Sequence, residues 1–137
     1  MQIDTTPSSH SFPFAFVIPV FNHEKQVGEV VEKTVRLGFP VFVVDDGSTD
    51  RSAKIIKKWK KKYPDNITYI KKENGGQASA RNIGLEHVKT EWVTFIDPDD
   101  FVDFRYFEEV EKFQKINEDK IFGMLACNFV FYYEDNK

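Results

Sequence analysis

Two clusters of aspartates stand where apolar runs end. "FVVDDGSTD", residues 42–50, places Asp45 and Asp46 directly after a β-branched stretch. "FIDPDD", residues 95–100, puts Asp97, Asp99 and Asp100 around Pro98. Carboxylates this close repel one another and need a cation, hydrogen-bond donors or water. Asp97 and Asp99 around a proline turn suit a hard divalent ion, which one or two carboxylates hold while phosphate oxygens complete its shell. The plainer reading is a solvated turn. Asp45, leaving a strand, suits acceptance of hydrogen bonds from a base N–H or a ribose hydroxyl. The plainer reading here makes Asp46, Ser48 and Asp50 turn and capping residues, with Ser48 or Thr49 capping the next helix.

A third stretch, "NGGQASARNIG" (74–84), opens with a glycine pair. Gly75 and Gly76 let a backbone approach a ligand closely, and a helix starting there presents free N–H groups. Arg81, one turn inside that helix, is placed to meet a phosphate or to pair with a strand-end acid, against the plainer reading of an ordinary surface arginine. The chain has neither GxGxxG nor GxxxxGK[ST], which argues against a dinucleotide dehydrogenase and a P-loop enzyme.

The elements that must position these residues alternate. Short apolar runs, "FAFVIPVFN", "VFVV", "ITYI", "WVTFI" and "MLACNFVFYY", read as strands. Between them, helical spacing links Val27, Val30, Val31 and Val35, with Gly38 as a C-terminal cap. The same spacing links Ala53, Ile56, Trp59 and Tyr63, and Phe104, Phe107, Val110 and Phe113, while the stretch after the glycine pair becomes a helix through Ile83, Leu85 and Val88. This β-α order predicts an α/β, Rossmann-like, mostly parallel sheet with helices on both faces. Ligands of such sheets bind outside the carboxyl ends of the strands, where both aspartate clusters and the "IPVFN" loop converge.

Length and composition bound the rest. The 137 residues suffice for one domain. Residues 1–11, polar and aperiodic, read as a flexible tail, and 12–137 as the domain. A net charge of −3 gives no general pull toward nucleic acid. Lys57, Lys58, Lys60, Lys61 and Lys62 form a basic run, read as a solvated helix face, or else as a patch for anions or a membrane surface. The single Cys127 allows no internal disulfide and reads as a buried thiol. No apolar run reaches membrane-spanning length and there is no signal-peptide core, so the expectation is a cytoplasmic chain.

Taken in order, "VIPVFN", "VVDDGSTD", "NGGQASARNIGL" and "FIDPDD" resemble the family 2 glycosyltransferases, inverting enzymes of the GT-A fold that use nucleotide-diphospho sugars. The likeness runs from about Phe14 to Asp103. It implies a nucleotide site. Pro19, Val20 and Phe21 would line the pocket, and Asp45 would contact the base while Asp46 supports its loop. Gly75, Gly76 and Arg81 would lie beside ribose and diphosphate. Asp97 would lie near the ribose, and Asp99 would hold Mn²⁺ or Mg²⁺ in a DXD motif. The implied partners are a UDP-sugar and a saccharide or lipid-linked acceptor. The family's catalytic base lies well downstream of the DXD. Glu134 and Asp135 come too soon after it, so the base is expected beyond Lys137. The expectation is therefore a donor-binding part truncated before the acceptor half. Membrane attachment of a longer protein is left open. The phenylalanine content and an unpaired sheet edge favour self-association. Two other readings compete. One is a nucleotidyltransferase, which needs a glycine-rich basic loop where "PVFNHEK" has none. The other is a non-catalytic binding module. His23, next to the first loop, is read as an exposed polar loop residue, or else as a ligand contact.

Overall fold

A computed structural model describes residues 14–100 and 105–120, which fall into two units divided after Val102. In the first unit the order is β1 (Phe14–Val20), α1 (Val27–Val35), β2 (Val41–Asp45), α2 (Ser52–Lys62), β3 (Ile67–Lys71), α3 (Gln77–His87) and β4 (Trp92–Phe95). The four strands form one parallel sheet in the order β3-β2-β1-β4. The expected α/β architecture is therefore present. The fifth strand expected at "MLACNFVFYY", Cys127 and the tail 1–11 lie outside the described residues. So do Glu134, Asp135 and Lys137, the point beyond which the catalytic base is expected.

Handedness explains the layering. β1, β2 and β3 step in one direction across the sheet, and right-handed crossovers put α1 and α2 on one face. The chain then returns past β1 to add β4, so the same hand puts α3 on the other face. Side-chain alternation agrees. Val17 and Val44 form a buried cluster with Ala80 of α3, joined by Phe42, Ile70, Ile83, Val88 and Val93. The alternate residues Phe16, Ile18, Val41 and Val43 are buried on the opposite face, with Val27 and Val31 of α1 buried as well. β1, central and covered on both sides, is buried along its whole length. That is why it reads as a continuous apolar run rather than an alternating one.

Element ends differ from the sequence pattern in instructive ways. α1 begins at Val27, and residues 22–24 ahead of it donate their N–H groups to Ser48, Ser52 and Asp50. Ser48 and Thr49 do not cap α2. That helix starts at Ser52, whose N–H donates to Asp50 Oδ1 at 2.9 Å. In the second unit, α4 (Tyr106–Ile116) buries Phe107, Val110 and Gln114, while Phe113 is exposed. Its inner face is thus turned from the one the phenylalanine spacing suggested.

α3 lies very close to β1. A Cβ placed on Gly84 would overlap Val17 Cγ1, so the helix reaches the sheet only because this position carries no side chain. Replacing a helical glycine by alanine normally gains about 1 kcal/mol. Here we expect the reverse: Gly84→Ala loses about 1–3 kcal/mol through overpacking, read as a lower urea midpoint with unchanged m.

Candidate functional site

Four loops leave the carboxyl edge of the sheet, and side chains tie them together. Asn22, after β1, has φ 55°, a left-handed conformation that asparagine tolerates better than most residues. Its Oδ1 accepts from Thr49 N (2.8 Å) and Asp50 N (3.3 Å), and its own N–H donates to Ser48 Oγ (3.0 Å). Next to it, His23 N–H donates to Ser52 Oγ, and Glu24 N–H donates to Asp50 Oδ2, both at 3.0 Å. Arg51 completes the seam with its backbone N–H and guanidinium on the Glu24 carboxylate. Burial pushes the Asp50 carboxyl up, but hydrogen bonds from Ser52 and the Glu24 N–H hold it below the usual range.

Asp46 joins the β2 loop to the β3–α3 loop. It is 3% exposed. Its Oδ1 accepts from the Lys72 ammonium and from Gly75 N–H (3.0 Å), and its Oδ2 accepts from Gly76 N–H (2.8 Å). Burial raises its pKa, yet the Lys72 bond and the two glycine N–H groups outweigh that and leave it lowered. Gly47 follows with φ 78°, and a Cβ there would stand 2.9 Å from Asn74 N. Conformation and space both demand glycine where these two loops meet.

Between these loops and the end of β4 lies a cleft of about 420 Å³, lined by Pro19, Val20, Phe21, His23, Asp46, Asn74, Gly76, Gln77, Ala80 and Asp97 to Asp99. It sits at the carboxyl edge where chain connections diverge from β1. Of the expected site residues, Pro19, Val20, Phe21, Gly76, Asp97 and Asp99 line it; Gly75 and Arg81 act just behind it.

Asp45 is a correction. It is wholly buried and does not line the cleft. Strand alternation sets it with Val41 and Val43, on the face opposite α3, while the cleft opens on the α3 side. Its carboxylate accepts from Ser48 N (2.8 Å) and Tyr69 Oη (2.8 Å), and burial together with that bond raises the Tyr69 pKa. The acid that faces the cleft is its neighbour, Asp46. His23, read as a plain surface residue, also lines the cleft and is only half-exposed.

The aspartates after β4 are not equivalent. Asp97 accepts from Arg81 Nη2 on both oxygens (2.9 and 3.1 Å) and from Gln77 Nε2 (2.8 Å). Arg81 therefore pairs with a strand-end acid, the second of its two readings, and its guanidinium also lies 5.4 Å over the Phe95 ring. Asp99 is exposed in the cleft and accepts no hydrogen bond among the described residues. Asp100 has its pKa raised by burial and by repulsion from Asp99 and Asp97. No three His, Cys, Asp or Glu side chains come together as a self-sufficient metal site among the described residues. One free carboxylate facing a cleft is the donor set that suits a magnesium-like ion sharing its shell with ligand phosphates. Lys72, Tyr69, Asn22 and Gln77 were missed by sequence reasoning. Their roles depend on contacts between separate loops, and only Lys72 and Gln77, flanking the glycine pair, gave a local hint.

The family described as glycosyl transferase family 2 matches residues 15–133. The chain is 39% identical over 110 residues to the minor teichoic acid biosynthesis protein GgaB of Bacillus subtilis, covering 77% of this chain and 12% of that protein. It is 30% identical over 105 residues to the poly(ribitol-phosphate) beta-N-acetylglucosaminyltransferase TarS of Staphylococcus aureus, covering 73% of this chain and 18% of TarS. The crystal structure of S. aureus TarS 1-349 in complex with UDP-GlcNAc superposes with TM-score 0.68 and 28% identity, over 78% of this chain and 32% of that one. The chain thus spans less than a third of the length of these relatives.

The Asp46 junction predicts a pH dependence. A carboxyl whose folded pKa is depressed stabilises the fold above its unfolded value of 3.8, and that contribution is lost as pH falls through the folded value. Asp46→Asn, which leaves Lys72 without its counter-ion, should lower stability by about 3 kcal/mol near neutrality. In urea titrations across pH, the gap to wild type should close below pH 3.8.

Proposed function

The chain belongs to glycosyl transferase family 2, and on that premise we propose that it is the donor-binding part of a metal-dependent inverting glycosyltransferase. The donor is a nucleotide-diphospho sugar, with UDP as the nucleotide, as in the TarS complex with UDP-GlcNAc. The observation that carries this reading is the division of labour between Asp97 and Asp99. Asp97 is held by Arg81 and Gln77, while Asp99 faces the same cleft and accepts no hydrogen bond among the described residues.

The residues then take distinct tasks. Asp46, with Asn74 and Gly76, forms a polar wall from two loops, and Phe21, 45% exposed, offers an apolar surface beside it. This combination suits a nucleoside, which presents a flat ring with polar edges. Asp97, fixed by Arg81, keeps free lone pairs for a ribose hydroxyl. Asp99 would hold Mn²⁺ or Mg²⁺. When bound, such an ion offsets the diphosphate charge and stabilises the departing nucleoside diphosphate. Bare aspartates would repel that diphosphate, so Asp99 favours binding only together with the ion.

Inversion requires a base within hydrogen-bond reach of the acceptor hydroxyl. Asp46 and Asp97 are engaged and Asp99 belongs to the ion, so none of these three is free for that task. The reading therefore assigns the base to none of them. The acceptor of this reading is a hydroxyl on a saccharide or lipid-linked carrier, or on a polyol-phosphate polymer such as the poly(ribitol-phosphate) in the name of TarS.

Calorimetric titration with UDP tests this. Wild type should bind UDP at least about tenfold more tightly with Mn²⁺ than without, a difference of about 1.4 kcal/mol. Asp99→Ala should erase the difference. UDP affinity indifferent to both Mn²⁺ and Asp99 would overturn the metal assignment. Arg81→Ala should weaken UDP binding by about tenfold while leaving the Mn²⁺ requirement in place, since it releases Asp97 and not Asp99.

A further inference from the structure

The outward face of α2 is made of lysine alone. Lys54, Lys57, Lys58 and Lys61 follow the i, i+3, i+4, i+7 spacing of one helical face, and all four are exposed. Ser52 and Ile56 are buried on the opposite side. The helix carries six lysines and no acid, in a chain whose net charge is −3.

Part of this charge has a local explanation. Lys60, Lys61 and Lys62 sit in the last turn, where cations complement the helix dipole. Lys60 Nζ donates to Pro64 O (2.7 Å), and Lys62 lies 4.9 Å over the Trp59 ring. The exposed face is different. Like charges three and four residues apart weaken a helix. Elsewhere the protein neutralises such charges: Lys33 pairs with Glu29, Arg36 with Glu32, and Lys112 with Glu108. On α2, none of the four outward lysines has a carboxylate partner among the described residues. Lys57 alone has another contact, 5.9 Å from the Tyr69 ring centroid.

We propose that this lysine face is a docking surface for an anionic lipid bilayer. The four ammonium groups stand on a convex ridge about 10 Å long, which meets a flat field of phosphates better than it encloses a single chain. The stacked aromatics Trp59 and Tyr63, 6.0 Å apart, are covered by Lys62 and are not offered to nucleobases, so the face lacks the stacking platform of a single-strand binder. No helix among the described residues is long and apolar enough to cross a membrane, so contact through α2 is peripheral. α2 runs from the carboxyl edge back toward the start of β3, which carries its last lysines away from the cleft and leaves the cleft open to donor.

Vesicle co-sedimentation of the full chain decides it. Vesicles of phosphatidylcholine and phosphatidylglycerol at roughly three to one should bind the protein, and pure phosphatidylcholine should not. Binding should vanish at ~1 M NaCl, where the Debye length is about 3 Å. The combined Lys54→Gln, Lys57→Gln, Lys58→Gln and Lys61→Gln variant should bind at least about tenfold more weakly, with its circular dichroism spectrum and urea midpoint unchanged. Arginine at the same four positions should retain binding, so a misfolded glutamine variant still leaves a decisive measurement. Equal binding to neutral vesicles, or undiminished binding by the folded glutamine variant, would overturn the proposal. Preference for soluble polyphosphate over the anionic vesicles would overturn it too, assigning the face to a dissolved polyanion. None of these outcomes depends on whether UDP binds the cleft.

Discussion

A carboxylate removed from water must be met by donors, and the Asp46 side chain makes that requirement the joint of this structure. It is almost wholly buried, and a buried charge without partners is far more costly than any single packing defect. Its partners come from a different loop: the Lys72 ammonium and the Gly75 and Gly76 N–H groups. The loop after β3 is therefore held against the end of β2 by electrostatics rather than by apolar contact. Gly76, the residue before α3, is fixed by the same bonds, and so is the start of the helix that presents Gln77 and Arg81. The clamp on Asp97 begins with a carboxylate in the loop that follows β2.

The seam between the first two loops works on the same principle with neutral partners. Asn22 takes an uncommon backbone conformation, and the four bonds it makes to residues 48–50 offset that cost. Backbone N–H groups of the loop residues Asn22, His23 and Glu24, and of Arg51 just before α2, are satisfied across the gap by Ser48, Ser52, Asp50 and Glu24. The residues that precede α1 and α2, Gln26 and Arg51, make no side-chain cap hydrogen bond of their own. Each loop completes its neighbour, so the floor of the cleft is set as a unit.

How the acids divide follows from this scaffold. Asp45 and Asp46 are adjacent in sequence, yet one faces Tyr69 on the face opposite α3 and the other faces the cleft. Asp97 and Asp99 are two apart, yet one is held by side chains of α3 and the other accepts no hydrogen bond among the described residues. On the proposed reading this inequality serves an anion brought close to carboxylates: some acids are neutralised by the protein's own donors, and one is kept for an external cation.

Much of the fold was legible locally. The apolar runs of β1 and β2 announced buried central strands, the 3.6-residue spacing of Val27, Val31 and Val35 announced α1, and the clusters after β2 and β4 announced where a ligand would bind. These are properties of consecutive residues, and strand and helix periods are intrinsic to the backbone. The order of the four motifs also pointed to the family. Which aspartate faces the cleft was not legible, because a shift of one residue along a strand reverses the face and no local pattern marks where the strand ends. Nor were the roles of Lys72, Tyr69 and Asn22, whose partners lie 24 to 28 positions away. Pattern along the chain determined the elements and the edge at which they meet. Only the folded sheet decided which charge meets which, because burial and hydrogen-bond geometry are set by residues distant in sequence.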